Sequence, residues 1–192
     1  MMAVLLYCSG KAQVMTKPIP FILSLILLTA CKKEKQEVLP PETQTGANTF
    51  GCLVDGKVYT PGGVPGWAGS ELSAYYQWVD DRYYFVLGAR NDKGVGNRAV
   101  GVYADSIRLG EGTKYQFSIR ENGNTSARYY YSDNSISTTY FTDGNVYAGE
   151  LWIKRLDTVK LIVSGTFWFD AVNSKGEKVE IREGRFDMGY RR

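Results

Sequence analysis

Residues 159–171 read Val-Lys-Leu-Ile-Val-Ser-Gly-Thr-Phe-Trp-Phe-Asp-Ala, and their alternation decides the fold class. Val159, Leu161, Val163, Gly165, Phe167, Phe169 and Ala171 fall on one side of an extended chain. Lys160, Ile162, Ser164, Thr166, Trp168 and Asp170 fall on the other. Successive side chains of a strand point to opposite faces, so the pattern predicts a long strand with one face buried and a bend at Gly165.

The same period-two signal extends in both directions. Downstream, Asn173-Ser174-Lys175-Gly176 turns the chain into Val179 and Ile181, and after Gly184 the residues Phe186, Met188 and Tyr190 form a last strand. Upstream, Phe50, Cys52 and Val54 alternate, Asp55-Gly56 marks a hairpin, and Val58 and Thr60 return. Leu72, Ala74, Tyr76 and Trp78 alternate up to Asp80-Asp81, and Tyr83, Phe85, Leu87 and Ala89 follow. A helix through Leu72, Tyr75, Tyr76 and Val79 is the rival reading there. Val100 with Val102, and Tyr115 with Phe117 and Ile119, add strands, and Asp143-Gly144 adds a turn after a tyrosine-rich stretch. Nine to eleven short strands without helices predict one all-β domain over 48–192, an antiparallel β-sandwich or a flattened barrel.

The region before that domain has a different composition. Residues 19–28 are an apolar run behind Lys17, too short to span a bilayer as a mature helix. It ends in Leu28-Thr29-Ala30-Cys31, which reads as a bacterial lipobox: a thiol to accept diacylglycerol, preceded by small residues that admit a peptidase. Residues 1–30 are therefore expected to be a signal peptide, with 1–14 a start-site extension before Met15. Residues 31–47 begin with the lipidated Cys31, and their charges, paired prolines and small polar residues predict a flexible tether. Lys32 after the cysteine favours the outer membrane, with the orientation of the domain left open. The expected partner is thus the membrane, through the anchor on Cys31.

The chain has 192 residues and no histidine, which removes Ser-His-Asp and Cys-His catalysis and most zinc sites. Of its 23 lysines and arginines, Lys11 and Lys17 lie in the leader, leaving 21 basic against 20 acidic groups in the mature chain. That balance offers nothing to nucleic acid. Of three cysteines only Cys52 falls within the domain, where its alternation with Phe50 and Val54 reads as a buried small hydrophobe. No Ser-x-x-Lys, nucleophile elbow, phosphate-cradling glycine loop or EF-hand spacing occurs. No cofactor or dedicated metal site is expected, although loop carboxylates could hold calcium.

The blocks Gly149-Glu150-Leu151-Trp152-Ile153, Val163-Ser164-Gly165-Thr166-Phe167-Trp168-Phe169-Asp170-Ala171 and Val179-Glu180-Ile181-Arg182-Glu183-Gly184-Arg185-Phe186-Asp187 resemble a family of uncharacterised small lipoproteins from Bacteroidetes-type bacteria. The resemblance implies a lipoprotein with an antiparallel β-sandwich and carries no catalytic residue. It also implies that Asp105-Ser106-Ile107 and Asp157-Thr158-Val159 are short O-glycosylation sites, the plain alternative being ordinary strand-edge turns.

The remaining functional signal is aromatic. Fourteen tyrosines and four tryptophans are common β-sheet residues, but some point away from the core. Trp168 and Trp152 alternate with buried neighbours, and Tyr84 and Tyr130 are expected to face outward. Exposed rings stack on sugars or anchor a protein partner. The expected function is a non-catalytic binding module of the cell envelope, for a glycan or an envelope protein. The alternatives are a small hydrolase using two carboxylates, or a structural accessory of a larger envelope complex.

Overall fold

A computed structural model describes residues 38–63, 70–94, 96–144 and 149–192 of the chain. The leader, Cys31 and the start of the tether lie outside them. The described residues contain no helix. They form eleven strands: β1 Thr49–Val54, β2 Lys57–Tyr59, β3 Leu72–Val79, β4 Arg82–Asn91, β5 Asn97–Asp105, β6 Lys114–Gln116, β7 Thr125–Ser132, β8 Ser137–Phe141, β9 Gly149–Asp157, β10 Ile162–Val172 and β11 Lys178–Gly189.

All eleven belong to one antiparallel sheet, not closed into a barrel, that folds over as a β-sandwich. One layer is β2-β1-β11-β10-β9-β6 and the other β8-β7-β5-β4-β3. The layers join where Val172 of β10 meets Phe141 of β8. At the opposite side Arg191 pairs with Tyr75 of β3. Residues 72–79 are thus a strand and not a helix, because Ala74 and Tyr76 alternate into the core while β4 pairs along their whole length.

The two-residue turns are specified locally. Asp55-Gly56 and Asp80-Asp81 all have positive φ, which right-twisted hairpins require of a tight turn. Between the layers the inward residues pack as aromatic pairs, among them Phe85 with Phe186 at 6.5 Å and Phe117 edge-on to Phe169 at 5.8 Å. Cys52 is fully buried among them, and burial pushes its thiol pKa up, which keeps it protonated and unreactive.

The decisive stretch departs from its expected outline at the start. Residues 158–161 are a turn, and β10 begins at Ile162. The Asp157 carboxylate accepts the amides of Val159 and Lys160 at 3.1 and 2.8 Å, and Leu161 takes a positive φ of 56°. Val159, expected on the buried face, is consequently 89% exposed. A local side-chain acceptor competing for two amides ends the strand earlier than hydrophobic pattern alone would.

Two β-bulges interrupt the ladders around β10. On β9 Lys154 is the extra residue, since Ser164 faces Arg155 and Gly165 faces Ile153. On β11 the extra residue falls at Arg182–Glu183, because Phe167 faces Gly184 while Phe169 faces Ile181. Leu53 and Gly51 of β1 show the same shift against Arg182 and Arg185. Glu183 takes a positive φ of 51° there. The two inward series Val179/Ile181 and Phe186/Met188 thus belong to one strand, re-phased by the bulge, and the buried Tyr190 follows it.

Residues 42–47, counted with the tether on composition, are fastened to the outer face of β11. Asp187 is 1% exposed, although its place in the alternation points it away from the core. Its carboxylate accepts the Thr43 and Thr45 hydroxyls at 2.7 and 3.3 Å. It also accepts the amides of Thr45, Gly46 and Ala47 at 2.9, 2.7 and 3.1 Å. The segment is a strap that covers this corner of the sheet.

Candidate functional site

The outer face of the β9–β10–β11 layer carries two of the four aromatic side chains singled out by the sequence, Trp152 and Trp168. Thr166 is opposite Trp152 and Trp168 opposite Glu150, so the two tryptophans are diagonal neighbours on one face. Both are half-buried. Tyr84 and Tyr130 are also half-buried and outward, but on the other layer. They pair with Asp105 and Ala99 of β5, six residues apart, or about 20 Å along a strand. The Tyr130 hydroxyl lies 3.2 Å from Ser137 Oγ, and hydrogen bonds from Ser132 and Ser137 hold its pKa below the usual phenol range. The structure therefore brings Trp152 and Trp168 together and leaves the tyrosines apart from them and from each other.

The two tryptophans differ in setting. Lys114 Nζ lies 5.0 Å and Lys154 Nζ 4.6 Å from the Trp152 ring centroid. Its Nε1 is buried with no hydrogen-bond partner among the described residues. Trp152 is a buttress beneath two ammonium groups. Trp168 instead lines an open groove of about 270 Å³ together with Glu42, Glu150, Lys154, Glu183 and Arg185. The Arg182 guanidinium stands 5.4 Å from its ring centroid. A smaller cavity of about 140 Å³ is lined by Glu42 to Gln44 of the strap, Lys154, Gly165 and Phe186. Glu42 and Lys154 border both.

Both bulges open onto this groove. Lys154 and Glu183 are the residues that a regular ladder would have no place for, and the groove lies between them. A bulge gives up ladder hydrogen bonds and re-aims a side chain, which is why bulges cluster beside sites. Sequence reading missed Lys154, Glu183 and Glu42. The signal for the first two was present as breaks in the alternation: the inward spacing jumps from Ile153 to Leu156, and from Ile181 to Phe186 without a turn residue pair between.

The electrostatics are paired throughout. Glu42 bonds Lys154, Glu150 meets Lys114 at 3.0 Å and Glu183 meets Arg185 at 3.2 Å. Beside Trp168, Asp170 is held by Arg182 at 2.6 Å and Lys178 at 2.8 Å. Partial burial opposes ionisation of Asp170, but these two cations outweigh it and its pKa falls below the usual carboxylate range. The groove thus presents one aromatic face and alternating charges that cancel locally, a lining suited to an uncharged polar molecule. Among the described residues no three His, Cys, Asp or Glu side chains converge as a metal site.

Of the two candidate glycosylation sequences, Thr158 is exposed in the β9–β10 turn, whereas Ser106 is half-buried with its hydroxyl 3.1 Å from Asn122 Oδ1.

A family model described as domain of unknown function DUF6252 matches residues 73–188, which include β4 to β10 and all but one end residue each of β3 and β11. No curated protein and no solved structure matches the chain.

Proposed function

Because the chain belongs to the DUF6252 family, whose description assigns no activity, we propose from the surface itself that the domain is a non-catalytic glycan-binding module of a cell-envelope lipoprotein. The observation that carries the reading is the pair of bulges flanking Trp168. They set Lys154 and Glu183 on either side of a flat apolar ring, and Glu42, Glu150 and Arg185 complete the rim. A sugar ring has apolar C–H faces and a hydroxyl edge. Stacking on Trp168 satisfies the first, and alternating charged donors and acceptors satisfy the second. Membership of the family covers most of the sandwich, and the leader ending at Cys31 supplies the envelope anchor.

The hydrolase alternative is weaker on this geometry. A carboxylate-dependent glycosidase needs one acid kept protonated by apolar surroundings. Each carboxylate of the groove lies against a lysine or arginine, so none sits in the apolar surroundings such an acid requires.

The test uses the chain without residues 1–30 and with Cys31→Ser, in a thermal-shift panel of neutral and acidic oligosaccharides. A neutral sugar at 100 times its Kd adds roughly 2.7 kcal/mol to stability, a shift of several degrees for a domain of this size. Trp168→Ala is expected to abolish that shift with the fold intact, while Tyr84→Ala and Tyr130→Ala retain it. A flat panel rejects the sugar reading and directs the search to envelope proteins. The anchor is tested separately by incorporation of a labelled fatty acid, expected in the full chain and absent in Cys31→Ser.

A further inference from the structure

Several observations about the strap converge on the groove. Asp187, at 1% exposure, gathers five hydrogen bonds from residues 43–47. Ser164 stands directly opposite Asp187 and is fully buried on what is otherwise the solvent side of β10. On the strap's other flank the Gln44 carbonyl accepts the Arg155 guanidinium at 2.7 Å. At its N-terminal end Glu42 bonds Lys154, the bulge residue that rests against Trp152. Glu42 lines both the groove and the smaller cavity beneath the strap.

We infer that the strap, latched by Asp187, places Glu42 as one side of the binding groove, and that Asp187 is a positioning residue for the site. The inference rests on the groove being the functional site proposed above. Three backbone amides and two hydroxyls converging on one carboxylate make a concave donor nest, which holds an anion far more firmly than a neutral group. With the latch made, Glu42 is fixed where it can hold Lys154 over Trp152 and shape the groove. With the latch open, Glu42 leaves, Lys154 loses its partner, and the groove loses one side. Seating of the strap and occupancy of the groove therefore favour each other reciprocally.

The experiment compares amide hydrogen exchange and the indole N–H resonances of the wild-type chain, Asp187→Asn, Gly46→Val and Glu42→Gln, without ligand. Asp187→Asn keeps the side-chain shape and removes the charge. Gly46→Val leaves the carboxylate in place and unseats the strap, since Gly46 has φ 78° and an added Cβ would lie 3.1 Å from Ile162 Cγ1 at the start of β10. Both are expected to lose protection at Thr45, Gly46 and Ala47 by at least about tenfold, with core amides of β10 unchanged. Both are also expected to move the Trp152 indole resonance. Glu42→Gln is expected to keep the protection and still move that resonance. Unchanged protection in both latch variants, or lost protection with a stationary Trp152 signal, overturns the inference. In the sugar panel Asp187→Asn is expected to weaken the wild-type response. A panel flat for the wild type rejects the sugar reading alone and leaves the exchange result standing.

Discussion

At the scale of single residues, Asp187 shows how a carboxylate is kept charged in a nearly dry place. Burial opposes ionisation, but the Thr43 hydroxyl and the amides of Thr45, Ala47 and Gly46 outweigh it, and the pKa falls below the usual carboxylate range. The folded state therefore binds fewer protons than the unfolded state across the acidic range. The resulting stability is fully present above the unfolded value of about 3.9 and is lost as pH falls through the lower folded value. Asp133, Asp157 and Asp170 are shifted the same way. Asp187→Asn is thus expected to destabilise the domain by about 2 kcal/mol at neutral pH. It should also make the acid limb of a stability–pH curve shallower without abolishing it. Denaturant midpoints taken between neutral and acidic pH check both, and a limb as steep as wild type would contradict them. Nothing in the sequence announces this residue. Asp187 sits in an alternating strand like any outward acid, and its partners lie about 140 positions away.

At the scale of elements, alternation was readable wherever a strand stayed in phase. The inward faces of β3, β4, β5 and the centre of β10, and the outward direction of both tryptophans, follow from period two alone. What was not readable is where the phase slips. Lys154-Arg155 and Arg182-Glu183-Gly184 look like ordinary polar punctuation until the neighbouring strand is in place, and only the register shows that they are bulges. The strap was misplaced for a related reason. Its small polar residues, Thr43, Thr45 and Gly46 among them, cannot bury a core, yet with Ala47 they bind one carboxylate, and composition does not distinguish the two. Gly165 was legible as a bend, and the structure gives the cause. A Cβ there would lie 2.1 Å from the Trp152 carbonyl oxygen and 3.0 Å from the Phe186 ring. Gly165→Ala must therefore push β9 off β10 at the bulge. The expected cost is about 2–3 kcal/mol in chemical denaturation, with displacement of Lys154 from Trp152. A neutral result would mean that the ladder relaxes there freely.

At the scale of the whole molecule, the beginning and the end of the domain are held together. Thr49 pairs with Asp187 and Phe50 with Phe186, and the strap closes over the same place. Phe186, Met188 and Tyr190 are all buried in the shared core, and Arg191 completes the contact with β3. Deleting residues 186–192 removes all of this at once. It is expected to abolish cooperative unfolding and the near-ultraviolet circular dichroism of the packed aromatics. A truncated chain that still melts in one sharp transition would show that the core closes without the end of its last strand.

The strap also sets the length of a leash. If Cys31 carries the lipid, only the eight steps to Leu39 separate it from the fixed part of the domain, because Leu39 and Pro40 lie against Gly51 of β1 and residues 43–47 are held by Asp187. Fully drawn out, that stretch reaches about 26–29 Å. On the function proposed above, so short a leash would keep Trp168 close to its anchor and give membrane-borne sugars a high local concentration. A Gly/Ser spacer of about ten residues placed before residue 38 is expected to lower capture of a membrane-displayed glycan while leaving affinity for the same sugar in solution unchanged. On that reading the latch would act as a ruler: by taking up slack in the chain, it would set how far from its anchor the groove can reach.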